Sequence, residues 1–176
     1  MPQFRNAASD GDGEMHGEQF VTKKLEAVSH VGFLMLEKFS MIAFASAIET
    51  LRMANYLSGK PLYSWSIITP DGQPVRCSNG LASSDTVTYD ASPACDLVLV
   101  CGGVEIDRSI NDRLRTVLRH IARDGVMLGG LCTGSYALVK AGLLDGYRCT
   151  IHWENLAGFA ESFPEAFKAH LASGLE

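Results

Sequence analysis

Short apolar runs alternate along this chain with longer stretches in which apolar residues recur every three or four positions. Such short, mostly apolar runs are typical of strands that are buried on both faces of a sheet. Strands that alternate with helices of about ten to fifteen residues predict an α/β fold, with a parallel sheet and helices on both of its faces. The clearest strands are predicted at His30–Leu36, Tyr63–Thr69, Asp96–Cys101 and Val126–Gly129.

Helices are predicted after most of these strands. Ser40 is placed to cap the first helix, and the third helix is expected to follow the strand at 126–129 and to run through Leu144. Residues 73–90 predict small hairpin or excursion strands, while 149–153 predict a final strand and 154–172 a final helix. The apolar stripes of the first two helices are Met41, Phe44, Ala45, Ile48, Leu51 and Asn55, and then Ile110, Leu114, Val117, Leu118 and Ile121.

The chain divides into a tail and one domain. Residues 1–26 are polar and Gly-rich without apolar periodicity, so we expect a disordered tail. Residues 27–176 are predicted to form a single domain, because a chain of 176 residues suits one hydrophobic core.

Composition excludes several classes of protein. A net charge of −5 gives no basic field for nucleic acid, and no apolar stretch approaches the roughly 20 residues that a membrane span needs. The N-terminus has no secretory signal pattern. The cysteines number five, without a C-x-x-C pair, so neither a disulfide scaffold nor a zinc site is indicated. We therefore expect a cytoplasmic protein without metal, cofactor or membrane partner.

The candidate chemistry centres on residues 129–134, GGLCTG, which predict a tight turn from a strand into a helix. Cys132 on such an elbow is expected to be exposed in a strained conformation, with its pKa lowered by the helix N-terminus. Backbone amides of Thr133 and of the Gly102–Gly103 turn are predicted to form an oxyanion-type pocket. The alternative is that Cys132 is a packed small residue in a glycine-rich turn.

Other polar residues carry weaker signals. His152 follows Cys132 by twenty residues, at the end of the predicted last strand, where it can orient or deprotonate the thiol or serve only as a structural group. Trp153 is expected in the core, and Glu49 in solvent because it is one position off its helix stripe. The arginines at 108, 113, 115, 119 and 123 follow no single stripe and predict a solvated helix face.

These segments resemble the PfpI-type superfamily, also described as class I glutamine amidotransferase-like. More narrowly, the chain resembles the amino-terminal domain of AraC-type transcriptional regulators of the GlxA group, over roughly Val28 to Pro164. The resemblance implies a flavodoxin-like three-layer sandwich, with Cys132 at the nucleophile position and His152 at the histidine position. The segments that carry it are Val31–Leu36, Phe44–Asn55, Asp96–Gly103, Leu128–Leu144, Ala141–Gly146 and Thr150–Asn155.

One position departs from the catalytic members of this superfamily. They carry a carboxylate early in the first helix, six residues before a glutamate that matches Glu49, and Ala43 stands at that place. An alanine has no group that could tune a thiolate, so the departure favours a sensor over an enzyme. We predict a ligand site formed by Cys132, Thr133, Gly102, Gly103, His152 and Ala43. The alternative is a cysteine-dependent hydrolase or glyoxalase-like enzyme that uses Cys132 and His152.

The resemblance also implies partners. The effector is expected to be a small metabolite, with the chain placed among regulators of carnitine, glycine betaine or arginine use, and the domain is expected to form a homodimer. Trp65, Tyr136 or Trp153 could offer a ring face to a quaternary ammonium. DNA binding is expected only through a carboxy-terminal helix-turn-helix domain, which this chain lacks. The last strand and helix of the sensor domain are also expected to be missing, which could expose a sheet edge to aggregation.

Overall fold

The computed structural model describes residues 28–145 together with residues 147, 149 and 161. The predicted tail at 1–26, the domain boundary at 27, and nearly all of the predicted last strand and helix lie outside these residues.

Five strands form one sheet in the order β3-β2-β1-β4-β5, and every neighbouring pair is parallel. This confirms the predicted parallel sheet, because only crossover connections can join parallel neighbours. The order reverses at β1, which lies between β2 and β4, and ligands of such sheets bind in the crevice at the carboxyl ends next to that point. The strands are β1 His30–Met35, β2 Ser64–Ile68, β3 Thr86–Val87, β4 Leu97–Cys101 and β5 Met127–Leu131.

Helices cover both faces of the sheet. Ser40 caps the first helix, since its hydroxyl accepts the Ala43 amide at 3.4 Å, and Asn111 caps the third by accepting the Leu114 amide at 2.9 Å. The prediction at Ser40 is confirmed, whereas the short second helix was not predicted. The helices are α1 Met41–Ser58, α2 Ile106–Ser109, α3 Asp112–Arg123 and α4 Gly134–Lys140, and a 3-10 turn spans Tyr89–Ala91.

Two apolar clusters lie on the two sides of the sheet. On one side Leu34 and Val98 pack with residues of α3 and α4, including Leu118. On the other side Phe33 packs under α1, where its ring meets the edge of Phe44 at 5.2 Å between centroids. Helix α1 has no fully buried residue, and it contacts this cluster through partly buried residues such as Phe44, Ile48 and Leu51.

Two predicted boundaries were wrong. Strand β5 continues past Gly129, because Gly130 and Leu131 still pair with β4. Helix α4 ends at Lys140 rather than Leu144, because Gly142 adopts a left-handed conformation (φ +72°) and its amide returns to the Val139 carbonyl at 2.8 Å. Both errors arise because glycine patterns do not show which backbone conformation a glycine takes.

The excursion at 73–90 is confirmed, although it contains only one short strand. Thr86 and Val87 extend the sheet beside Ile67 and Ile68, and an isolated bridge joins Phe39 to Cys77. In the part of the chain that the structure describes, no helix has both the length and the apolar character to cross a membrane.

Candidate functional site

The loops that follow β1, β4 and β5 are hydrogen-bonded to one another at the carboxyl edge of the sheet. The Ser40 amide donates to the Gly102 carbonyl at 2.9 Å, and the Val104 amide donates to the Lys38 carbonyl at 3.2 Å. Since Ser40 caps α1, the first turn of that helix is fixed directly to the loop after β4. The first turn of α1, which contains Ala43, therefore lies next to the loop that contains Gly102 and Gly103.

The elbow has the strained geometry that its glycines predict. Cys132 follows β5 at once, is half-buried, and has a φ of +56°, a conformation that is costly for a residue with a side chain. Thr133 is 1% exposed and its hydroxyl donates to the Gly103 carbonyl at 2.8 Å. This buried bond joins the elbow to the loop after β4.

Close backbone contact explains why glycines are required here. A Cβ atom on Gly134 would overlap the Val100 carbonyl oxygen, and one on Gly102 would lie 2.5 Å from both the Thr133 hydroxyl and the Gly134 amide. Any larger residue would push the start of α4 away from the end of β4. These glycines are therefore needed for packing, whatever the elbow binds.

The predicted oxyanion-type pocket loses one of its donors. The Gly102 amide donates to the Leu131 carbonyl at 3.2 Å, continuing the β4–β5 ladder. An anion at the elbow would have to use the amides of Gly103 and Thr133 instead. Sequence reasoning could not find this, because it depends on how far the ladder extends past the last strand residue.

Ala43 lies in the first turn of α1, is half-buried, and is followed by no acidic residue in that turn. The carboxylate that catalytic relatives would place there is absent from this part of the molecule. Glu49 does not replace it, because it is exposed and pairs with Arg52 at 2.7 Å. The prediction that Glu49 is solvated is confirmed.

His152 and Trp153 lie outside the described residues, so their predicted roles stay predictions. Of the other thiols, burial raises the pKa of Cys95, Cys101 and Cys149, which keeps them in the neutral form at physiological pH. Cys101 is 1% exposed and pairs in the sheet with Leu131, the residue that precedes Cys132. No three His, Cys, Asp or Glu side chains within the described part of the chain could hold a metal ion.

Three arginines of α3 form hydrogen bonds or ion pairs with other residues of the chain. Arg113 donates to the Pro70 carbonyl at 3.1 Å, and Arg119 donates to the Ala141 carbonyl at 3.0 Å, just after α4. Arg115 pairs with Asp112 at 2.9 Å. The predicted solvated face is confirmed, because Arg113 and Arg119 are both exposed, and their hydrogen bonds also connect α3 to neighbouring segments.

Of the aromatic residues predicted to contact a quaternary ammonium, Tyr136 already contacts a lysine, whereas Trp65 lines an open groove. Tyr136 has its ring covered by the Lys140 ammonium at 5.4 Å, and burial, followed by its hydrogen bond to Asp107, raises its pKa to about 12. Trp65 is half-buried and lines a groove of about 510 Å³, which we call the Trp65 groove. Its walls come from α1, from β2 and from residues 82–85, with Asp85 among them. None of the elbow residues 129–134 lines it, and the only sequence signal for it was Trp65 as a ring that could contact a quaternary ammonium.

Backbone strain is concentrated at the carboxyl edge. Lys38 (φ +58°) follows β1 and Glu105 (φ +54°) follows β4, while Cys132 follows β5. Lys38 and Arg108 both form ion pairs with the Glu105 carboxylate. The pKa of Glu105 is lowered, and the largest cause is the hydrogen bond from Lys38. Residues held in such conformations cluster at functional sites, so this edge is the best candidate site in the described residues.

Several known proteins of similar sequence are transcriptional regulators, and one is an enzyme. The chain is 52% identical over 134 residues to the HTH-type transcriptional regulator GbdR of Pseudomonas aeruginosa, covering 76% of this chain and 36% of that protein. It is 38% identical to the HTH-type transcriptional regulator GlxA of Rhizobium meliloti, over 81% of this chain and 44% of that one. An isonitrile hydratase of Pseudomonas putida is 28% identical over 70% of this chain and 52% of its own length. The chain thus spans less than half of the two regulators' length.

A solved structure has the same fold. The crystal structure of an AraC family transcriptional regulator from Pseudomonas putida superposes with a TM-score of 0.68 and 34% identity, covering 78% of this chain and 74% of that chain. The predicted flavodoxin-like architecture and the resemblance to AraC-type regulators are confirmed. The DJ-1/PfpI family profile matches residues 30–162. With the sheet order, the Cys132 elbow and this match in agreement, the chain belongs to the DJ-1/PfpI family.

Proposed function

We propose that this chain is the small-metabolite-sensing domain of an AraC-type transcriptional regulator. The observation that carries the proposal is Ala43 in the first turn of α1, where a catalytic relative would hold a carboxylate against the thiol. The similarity to GbdR and GlxA supports the same conclusion. The domain then acts in the cytoplasm as a homodimer and reaches DNA through a helix-turn-helix domain in the whole regulator.

The effector binds at the elbow, with Cys132 as the half-exposed member of the site. Gly102, Gly103 and Thr133 are buried and shape the backbone around it, while Ala43 contributes no carboxylate to the site. His152 completes the ligand set. Because Ala43 supplies no carboxylate to activate the thiol, the site binds its ligand and releases it unchanged.

Hydrogen bonds connect the elbow to the exposed helix α1, so binding of an effector can change the protein surface. The Thr133 hydroxyl holds Gly103, and the Gly102 carbonyl holds the Ser40 amide at the start of α1. A ligand that displaces Cys132 therefore moves the N-terminus of a helix of 18 residues whose outer side is exposed. Exposed Ile42, at 78% of its surface, lies in that first turn and would report the change to a partner.

A thermal-shift series tests this proposal with carnitine, glycine betaine and arginine, the effector classes that the resemblance to regulators implies. A ligand present at a hundred times its Kd stabilises the folded domain by about 2.7 kcal/mol, so an effector raises the melting temperature clearly. The rise should disappear in Cys132→Phe, which fills the elbow, and persist in Ser46→Ala on the exposed side of α1. If turnover is measurable and none of these or other small metabolites stabilises the protein, the proposal is wrong.

A second candidate is a cysteine-dependent hydrolase or glyoxalase-like enzyme, which the left-handed backbone of half-exposed Cys132 favours. Its test is alkylation by iodoacetamide at neutral pH, followed by mass spectrometry of each cysteine peptide. An enzyme nucleophile is modified much faster than buried Cys77 or Cys101, and Cys132→Ser abolishes activity. Ala43→Asp restores the missing carboxylate. If the parent chain is a sensor without turnover, this variant is the one in which we expect turnover to appear.

A further inference from the structure

The Trp65 groove exists because β3 is too short to cover its neighbour. Thr86 and Val87 pair only with Ile67 and Ile68, so the first half of β2 has no strand beside it on that side among the described residues. The groove opens there, between α1, the β2 edge and residues 82–85. Its volume of about 510 Å³ lies in the range of small-molecule sites, about 300–1,000 Å³.

One wall is apolar and well supported. Phe39 and Met35 are 1% exposed and form the inner wall, and the Phe39 ring meets the edge of the Phe44 ring at 6.0 Å. Trp65 and Ile48 are half-buried and complete this side. Because the aromatic rings are held by the core beneath them, this wall is present before any ligand arrives.

The opposite side carries charge of one sign. Among the described residues, Asp85 is the only charged residue that lines the groove, and no Lys, Arg or His of that part of the chain lines it. Asp85 is exposed, and it has no ion-pair partner in the described ranges. An anionic ligand would find no counter-charge here, whereas a cation would find a carboxylate.

The lining hydroxyls are largely occupied. Ser83 accepts the Val75 amide at 3.0 Å and donates to the Val75 carbonyl at 3.1 Å. The Ser66 hydroxyl bonds His30 at 3.0 Å. The Asp85 carboxylate is therefore the principal acceptor that the groove can offer to a ligand.

We propose that the Trp65 groove is a second binding site, distinct from the elbow, for an organic cation with an apolar body. The ammonium group lies beside the Asp85 carboxylate, and the apolar body lies against the Trp65 indole, whose ring face also attracts a cation. Specificity follows from the single negative charge on one wall and the aromatic surface on the other. The site does not depend on the function proposed for Cys132.

Three probes of one shape and different charge test the proposal. Phenylethylammonium, 2-phenylethanol and phenylacetate are titrated into the full chain carrying Trp153→Phe, so that tryptophan fluorescence reports Trp65 alone. We expect the cation to bind most tightly, the alcohol more weakly and the anion weakest. Equal affinities, or preference for the anion, would overturn the proposal.

Charge variants locate the site. Asp85→Asn keeps a residue type that tolerates the φ of +53° at this position, and it should weaken phenylethylammonium binding about fivefold while leaving 2-phenylethanol unchanged, since one water-screened charge contact contributes about 1 kcal/mol. Asp71→Asn removes the same charge from an exposed turn outside the groove and should have no effect. An equal loss in both variants would mean general attraction to an acidic protein and would refute the site.

Two further variants separate the groove from the elbow and from misfolding. Cys132→Ala should leave phenylethylammonium affinity unchanged, and a loss there would place the cation at the elbow and contradict the proposal. Trp65→Leu, measured by calorimetry with the melting temperature as a folding check, should weaken the cation and the alcohol together. Unchanged binding in a folded Trp65→Leu protein would also refute the groove.

Discussion

Thr133→Val removes the hydroxyl that joins the Cys132 elbow to the loop after β4 and changes little else. Valine has nearly the same shape as threonine, so the substitution opens no cavity. Thr133 is 1% exposed, and its bond to the Gly103 carbonyl is 2.8 Å long. In the variant, that carbonyl stays buried without this donor.

The expected cost follows from that burial. Leaving a buried acceptor unpaired costs about 1–3 kcal/mol, more than the net contribution of an average hydrogen bond. For a protein of this size each kcal/mol lowers the melting temperature by about 2–4 °C, so Thr133→Val should melt about 2–12 °C below the parent chain.

Thr50→Val is the matched control, because it makes the same chemical change at an exposed position. The Thr50 hydroxyl donates to the Ser46 carbonyl at 2.7 Å within α1, where water can replace it. Its free energy of unfolding should stay within about 0.5 kcal/mol of the parent. Urea denaturation of both variants is the assay. Equal stability of Thr133→Val and Thr50→Val would refute the claim that the Thr133 bond holds the elbow.

Three other predictions concern the same edge and the start of β1. Gly134→Ala should lower the free energy of unfolding by at least about 3 kcal/mol, because the added Cβ would overlap the Val100 carbonyl oxygen. Gly59→Ala meets no neighbouring atom but has a φ of +65°, so it should lower the free energy of unfolding by only about 1–2 kcal/mol, as measured by thermal melting. Cys132→Gly should be about 1 kcal/mol more stable than Cys132→Ala, since only glycine relieves the left-handed strain, and the reverse order in denaturant would contradict this. The pKa of the Asp96 carboxyl is lowered chiefly by the hydrogen bond from the His30 amide. The stability that this carboxylate contributes is therefore complete above about pH 4 and is lost as the pH falls through the lowered pKa. In Asp96→Asn, the free energy of unfolding should fall less steeply between about pH 5 and pH 2.5 than in the parent chain.

Much of the fold could be predicted from local pattern. Runs of apolar residues gave four of the strands, and the stripe that begins at Met41 gave α1, because burial on a sheet imposes these periods directly. The Ser40 cap also follows from local chemistry, since a serine satisfies helix amides within its own turn. The two-residue β3 was not predictable in place, because so short a strand has no period of its own.

The candidate site divides in the same way. The sequence by itself determined that residues 129–134 make a glycine-flanked turn and that no carboxylate stands at Ala43, because both follow from residue identity. Only the tertiary structure decided that the Gly102 amide belongs to the ladder, that Thr133 bonds Gly103, and that Lys38 and Glu105 join Cys132 in left-handed strain. These depend on loops that are far apart in the chain meeting at one sheet edge. The Trp65 groove has the same origin, since the shortness of β3 leaves part of β2 uncovered and sets an aromatic wall opposite Asp85.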